Sequence, residues 1–225
     1  MANDASGPLL ESRAYWDTRY ESSEAPDEWY CGQEELQSAL WWALESAGSS
    51  LFVLNLGCGR SEFCTQLAGG TGVAHVMGID VSWPALLGRV PGSTSLVAAD
   101  ATALPFRDST FDVVVEKGTI DWLALSLIVE EDRDARLELL RDELHRVLCP
   151  GGRLIVVTGL GGTSEDPLLF LRSGGDRSSP WAGWSRVATR GLDGMDGNYC
   201  CHVLVRSQAG DIVIPDLSNE SMPEA

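Results

Sequence analysis

The chain has 225 residues, 44% hydrophobic and 22% charged, enough apolar material for the core of one ordinary domain. Its formal net charge of −17 repels phosphate backbones, which sets nucleic acid aside; it reads as simple solubility or as attraction for an amine or a protein partner with a basic or lysine-bearing surface. No stretch reaches the length of a membrane span, and the six cysteines include no CxxC pair, so membrane and zinc readings drop out.

In chain order, the opening MANDASGPLLES carries two acids before its first arginine. It resembles neither a secretory signal nor a basic transit peptide, and a cytoplasmic setting with reduced thiols is expected. Residues 1–10 and 215–225 are polar ends expected to be disordered, leaving one domain over 11–214. Residues 11–32 hold Tyr15, Trp16, Tyr20 and Trp29 and read as a lid or as packing on a sheet edge. Residues 33–47 space Leu36, Leu40, Ala43, Leu44 and Ala47 as a helix, which Gly48 ends.

From there strands and helices alternate. Strands are expected at 51–56, 76–80, 95–99, 111–116 and 153–158. A helix over about 131–148 places Leu137, Leu140, Leu144, Val147 and Leu148 on one stripe, and Cys149-Pro150-Gly151-Gly152 stops it. The βαβα order with apolar strands implies a parallel sheet covered on both faces. Residues 159–180 read as a long loop with a short helix at 166–172. Residues 184–190 and 199–206, divided by the turn-rich GLDGMDGN, read as an antiparallel hairpin. The fold class is therefore α/β, a Rossmann-like sheet, mostly parallel, with a C-terminal antiparallel hairpin.

The run LFVLNLGCGRSEFCTQLAGGTGVAHVMGID (51–80) carries the chemistry. A strand enters a turn at Gly57 and Gly59, and a second strand ends in Asp80, 21 residues beyond Gly59. A turn without Cβ atoms admits a ligand close to the backbone, and a strand-end carboxylate can accept from both hydroxyls of a ribose. The third glycine of the full dinucleotide fingerprint is missing. Asp100 ends the next strand and Glu116-Lys117 the one after. Ligands of open α/β sheets bind at the carboxyl ends of strands, so these groups converge on one crevice suited to an adenosine-type ligand.

Here the chain resembles the class I S-adenosylmethionine-dependent methyltransferases. VLNLGCG resembles their first motif, VMGID the second, and LHRVLCPGGRLIVVT the region around their fifth strand. YWDTRYESSEAPDEWYCG (15–32) and VVVEKGTIDWL (113–123) are similar to the small lysine methyltransferases that modify elongation factor 1-alpha. Mitochondrial citrate synthase lysine methyltransferase is a related branch. The resemblance runs from about residue 13 to 206. It implies a seven-stranded sheet and S-adenosylmethionine as cofactor. It implies that Trp16, Tyr20 and Trp29 cover that cofactor, that its methionine part passes the turn at Gly57, with Gly59 of the same turn also cofactor-binding, and that Ile79 and Asp80 meet the ribose. Asp100 and Ala101 then meet the adenine, and Lys117 is a further contact. Asn55 departs from the acid that many class I enzymes carry there.

The activity this implies is protein-lysine N-methylation of a cytosolic protein such as an elongation factor. A lysine with an ordinary pKa of about 10.4 is unprotonated in only about one molecule in a few thousand at pH 7. Glu116 and Asp121 are the candidate catalytic residues for orienting the amine, and Asp121 equally reads as a helix-start cap. A small-molecule methyltransferase and a catalytically silent cofactor-binding partner subunit are the competing readings.

Overall fold

In a computed structural model of the chain, residues 13–22, 28–31, 33–45, 47–87, 94–125, 130–160, 168, 183–193 and 198–207 are described. The expected polar ends and most of the 159–180 loop, with its short helix, lie outside them. Two helices lead in, α1 (Arg13–Glu21) and α2 (Gln33–Glu45). The alternating part follows as β1 (Leu51–Leu56), α3 (Phe63–Ala68), β2 (Val73–Asp80), α4 (Trp83–Leu86), β3 (Thr94–Ala98) and β4 (Phe111–Lys117). Then come α5 (Thr119–Ala124), α6 (Glu130–Val147), β5 (Leu148–Thr158), β6 (Trp184–Asp193) and β7 (Asn198–Arg206).

The strands form one seven-stranded sheet in the order β3-β2-β1-β4-β5-β7-β6. β3 to β5 run parallel, whereas β7 inserts antiparallel between β5 and β6. The chain reverses direction across the sheet between β1 and β4, and the crevice outside such a switch point is where open α/β sheets take ligands.

Strand alternation divides the core in two. Val53, Val113, Val115, Ile155 and Val157 face α2 and α3, packing on Leu36, Leu40, Leu44, Phe63 and Leu67. Leu54, Val114, Leu154 and Val156 face the other way, onto Ile120, Leu137, Leu140 and Leu144 of α5 and α6. Both faces of the central strands are apolar because both are covered. Cys200 and Cys201 divide the same way on β7, with Cys201 in the core and Cys200 partly exposed. Trp41 and Trp42 both pack, partly buried, against the α2 face.

One expectation changes in detail. Cys149–Gly152 stops α6 as anticipated, yet the four residues do not form a separate turn before the strand. Phe111 pairs with Leu148 and Val113 with Arg153, so the single residue Asp112 stands opposite all four as a bulge within β5. Asp112 turns its carboxylate outward to accept from the Phe52 amide at 2.9 Å, tying β4 to the start of β1.

Candidate cofactor-binding site

At the carboxyl ends of β1, β2 and β4 lies a cleft with about 740 Å³ of empty space, open to solvent at its mouth. Trp16, Tyr20, Trp29, Gly57, Asp80, Asp100, Ala101 and Lys117 line it, all drawn from the sequence-derived set.

Asp80 is held before any ligand arrives. Its Oδ2 accepts from the Gly59 amide and its Oδ1 from the Ser82 amide, both at 2.9 Å. Each carboxylate oxygen carries two lone pairs, so one amide bond does not by itself exhaust it. The Gly59 contact links the glycine turn to the end of β2 and fixes the carboxylate where a ribose would lie. Gly57 shows why the turn needs glycine. Its φ is +64°, and a Cβ there would stand 1.9 Å from the Thr119 hydroxyl.

Asp100 presents a second carboxylate one strand over. Its Oδ1 accepts from both the amide and the hydroxyl of Thr102, at 2.9 and 2.8 Å, and Oδ2 faces Arg136 Nη2 at 3.4 Å. Burial pushes its pKa up, but the Thr102 bonds and the Arg136 charge outweigh that and hold it below the usual range. Asp100 is therefore an ionised acceptor at neutral pH.

Lys117 closes the opposite end. Its ammonium contacts Glu28, donates to the Cys31 carbonyl at 2.9 Å and lies 5.4 Å from the centre of the Phe63 ring. Burial lowers its pKa to about 8.

Over the cleft stand three tryptophans from three parts of the chain: Trp16 on α1, Trp29 in the following loop and Trp122 on α5. Their ring centres are 5.6 to 6.3 Å apart, each pair edge to face. α1 is fastened to the turn beneath it: Asp17 accepts from the Ser82 hydroxyl at 2.8 Å, and Arg60 donates to the Tyr20 carbonyl. Asp17 pairs with Arg13 rather than Arg19, whose guanidinium lies over the Trp29 ring.

Four sequence-derived residues are not on the cleft wall. Ile79 is buried with Leu54 and Leu56 on the α6 side of the sheet. Gly59 lines a smaller recess beside the cleft. Glu116 is fully buried, because Lys117 turns to the cleft and alternation sends its neighbour to the other face. One Glu116 oxygen accepts from the Ile120 amide at 3.0 Å and so caps α5, while the other has no hydrogen-bond partner among the described residues. Burial, reinforced by nearby Asp121, raises its pKa well above the usual carboxylate range. Asp121 is also fully buried, inside the first turn of α5 rather than at its cap. It accepts from the Thr158 hydroxyl (2.7 Å), the Gly159 amide (2.8 Å) and the Tyr30 hydroxyl (2.8 Å). These bonds occupy it as a brace between α5, the end of β5 and the N-terminal segment.

Sequence reasoning missed Trp122 and Arg136, both on the cleft wall. Trp122 directly follows the EKGTID string, which was the available signal. Arg136 sits on a helix rich in charge, where nothing in the sequence sets it apart.

Residues 54–156 match the family described as a methyltransferase domain. Mouse EEF1A lysine methyltransferase 4 is 30% identical over 159 residues, 65% of this chain and 60% of that protein. The bovine protein of the same name is 31% identical, over 64% of this chain and 59% of its own length. Mouse eEF1A lysine and N-terminal methyltransferase is 30% identical over 65% of this chain but 21% of its own length. The chain thus spans about three fifths of the first of these relatives and about one fifth of the last. Among solved structures, N-methyltransferase NodS from Bradyrhizobium japonicum WM9, in complex with S-adenosyl-l-homocysteine, aligns with a TM-score of 0.64. It is 16% identical, covering 87% of this chain and 98% of that one. Burkholderia thailandensis 1,6-didemethyltoxoflavin-N1-methyltransferase aligns at 0.60, with 16% identity and 87% coverage of both chains. At such identity these two speak for the fold alone.

Proposed function

We propose that this protein is an S-adenosylmethionine-dependent methyltransferase that modifies a lysine of a cytosolic protein, an elongation factor being the foremost candidate. The observation that carries the reading is the meeting of Asp80, Asp100, Gly57 and Lys117 on one wall beneath Trp16, Trp29 and Trp122. The wall fits the cofactor part by part. Asp80 takes the ribose hydroxyls, Asp100 and Ala101 the adenine, and the Gly57 turn lets the chain of the ligand pass close to the backbone. When bound, the cofactor supplies a methyl group on a sulfonium.

The protein's own part is alignment. An in-line displacement with a neutral leaving group needs no acid, so holding nucleophile and methyl in line supplies most of the rate. Tryptophan faces attract a cation, and three of them stand over the cleft, where partial desolvation favours the neutral, nucleophilic form of a lysine amine. Glu116 and Asp121 shape this site from beneath, holding α5 and hence Trp122. The curated relatives are named as acting on elongation factor eEF1A. That supports a protein substrate here, and the formal net charge of −17 suits a basic target surface.

Incubating the purified chain with tritiated S-adenosylmethionine and a cell lysate tests the reading. The expected outcome is label on a protein band, mapped by mass spectrometry to a methylated lysine. Label confined to the small-molecule fraction would move the acceptor to that class.

A further inference from the structure

Beyond Gly57 the cleft continues into a smaller recess lined by Glu28, Asn55, Gly59, Ser61, Phe63 and Lys117. The two spaces share Trp29, Gly57 and Lys117, so a ligand lying along Asp100 and Asp80 would extend its far end into this recess. The far end of S-adenosylmethionine is an α-amino acid, with an ammonium and a carboxylate at neutral pH. Asn55 has no charge to offer that ammonium. Its Nδ2 donates to Cys64 Sγ at 3.2 Å, and the residue is only 3% exposed.

A carboxylate stands there nevertheless, brought from outside the sheet. Glu28 precedes Trp29 in the N-terminal segment, accepts from the Ser61 hydroxyl at 2.7 Å and contacts the Lys117 ammonium. The recess therefore holds one negative and one positive side chain, paired with each other. An amino-acid zwitterion presents the same two charges.

We propose that Glu28 binds the ammonium of the ligand's methionine end while Lys117 turns to its carboxylate, exchanging one internal ion pair for two pairs across the ligand. The proposal rests on the cofactor reading above. The exchange leaves no charge unpaired in a part-buried recess, where an unpaired charge is costly. It also gives the N-terminal segment a direct role in binding, separate from the shelter its tryptophans provide. A nucleoside without the amino-acid end would leave the Glu28–Lys117 pair in place.

Calorimetry on the full chain with S-adenosylhomocysteine and with 5′-methylthioadenosine, which keeps the adenosine and sulfur but lacks the amino acid, separates these roles. E28Q keeps the side chain's size and its bond to Ser61 but removes the charge. It should weaken S-adenosylhomocysteine about tenfold or more and leave 5′-methylthioadenosine within about twofold. Recovery of S-adenosylhomocysteine affinity by adding N55D to E28Q would further support the assignment, since it returns a carboxylate from the strand side. A loss below about threefold, or equal losses for the two nucleosides, would overturn it. Failure of the unaltered chain to bind either nucleoside would instead remove the cofactor reading itself.

Discussion

Glu116 and Lys117 are neighbours at the end of β4, yet they belong to different parts of the molecule. Lys117 reaches the cleft and the Glu28 carboxylate. Glu116 points into the protein, capping α5 in full burial. The same division separates the acids around the cleft. Asp80 and Asp100 line the cleft with oxygens fixed by backbone amides. Asp121 is fully buried, with its carboxylate spent on Tyr30, Thr158 and Gly159. At the end of β4 the pleat of the strand decides which neighbour serves a ligand and which the scaffold, whereas Asp121 is turned inward by its place on α5.

Removing Asp121 should have the largest effect on the scaffold side. D121A leaves the Thr158 hydroxyl, the Gly159 amide and the Tyr30 hydroxyl without an acceptor, at about 1–3 kcal/mol for each group left buried and unpaired. Chemical denaturation should show a loss of about 3 kcal/mol or more. A loss under about 1 kcal/mol would return Asp121 to the list of candidate catalytic groups.

Asp80 tests the ligand side. D80A should keep the circular dichroism spectrum while costing about 1.5–3 kcal/mol per ribose bond lost, a fall in S-adenosylhomocysteine affinity of about tenfold or more. An unchanged spectrum with less than about a threefold fall would place the ribose elsewhere.

The smallest effect is expected at Glu116. Burial and nearby Asp121 both raise its pKa, and E116Q keeps an oxygen for the Ile120 amide. Stability should change by no more than about 1 kcal/mol, and methyl transfer should proceed at a rate within about twofold. A hundredfold drop in turnover with intact ligand affinity would make Glu116 catalytic and erase the contrast with Lys117.

Much of this was legible beforehand. β1 occupies its expected residues, 51–56, and the hairpin pair appears where the turn-rich GLDGMDGN divides two apolar runs. Apolar periodicity and glycine punctuation are local properties of the chain, so they report local structure directly. The cleft residues Asp80, Asp100 and Gly57 were legible for a related reason: a parallel α/β order carries every strand's carboxyl end to one side. What the linear order could not supply was facing. Glu116 beside Lys117, and Ile79 beside Asp80, each needed a sheet with both faces covered before one neighbour became core or brace and the other ligand wall. Nor could it join distant segments. Trp16, Trp29 and Trp122 close over one cleft, and Glu28 meets Lys117 across 89 positions of sequence, only because α1 is fastened onto the β2–α4 turn. Sequence by itself determined the alternating elements and the polar strand ends. Tertiary packing decided which of those polar groups face a ligand, since burial and partnership arise only between segments that folding brings together.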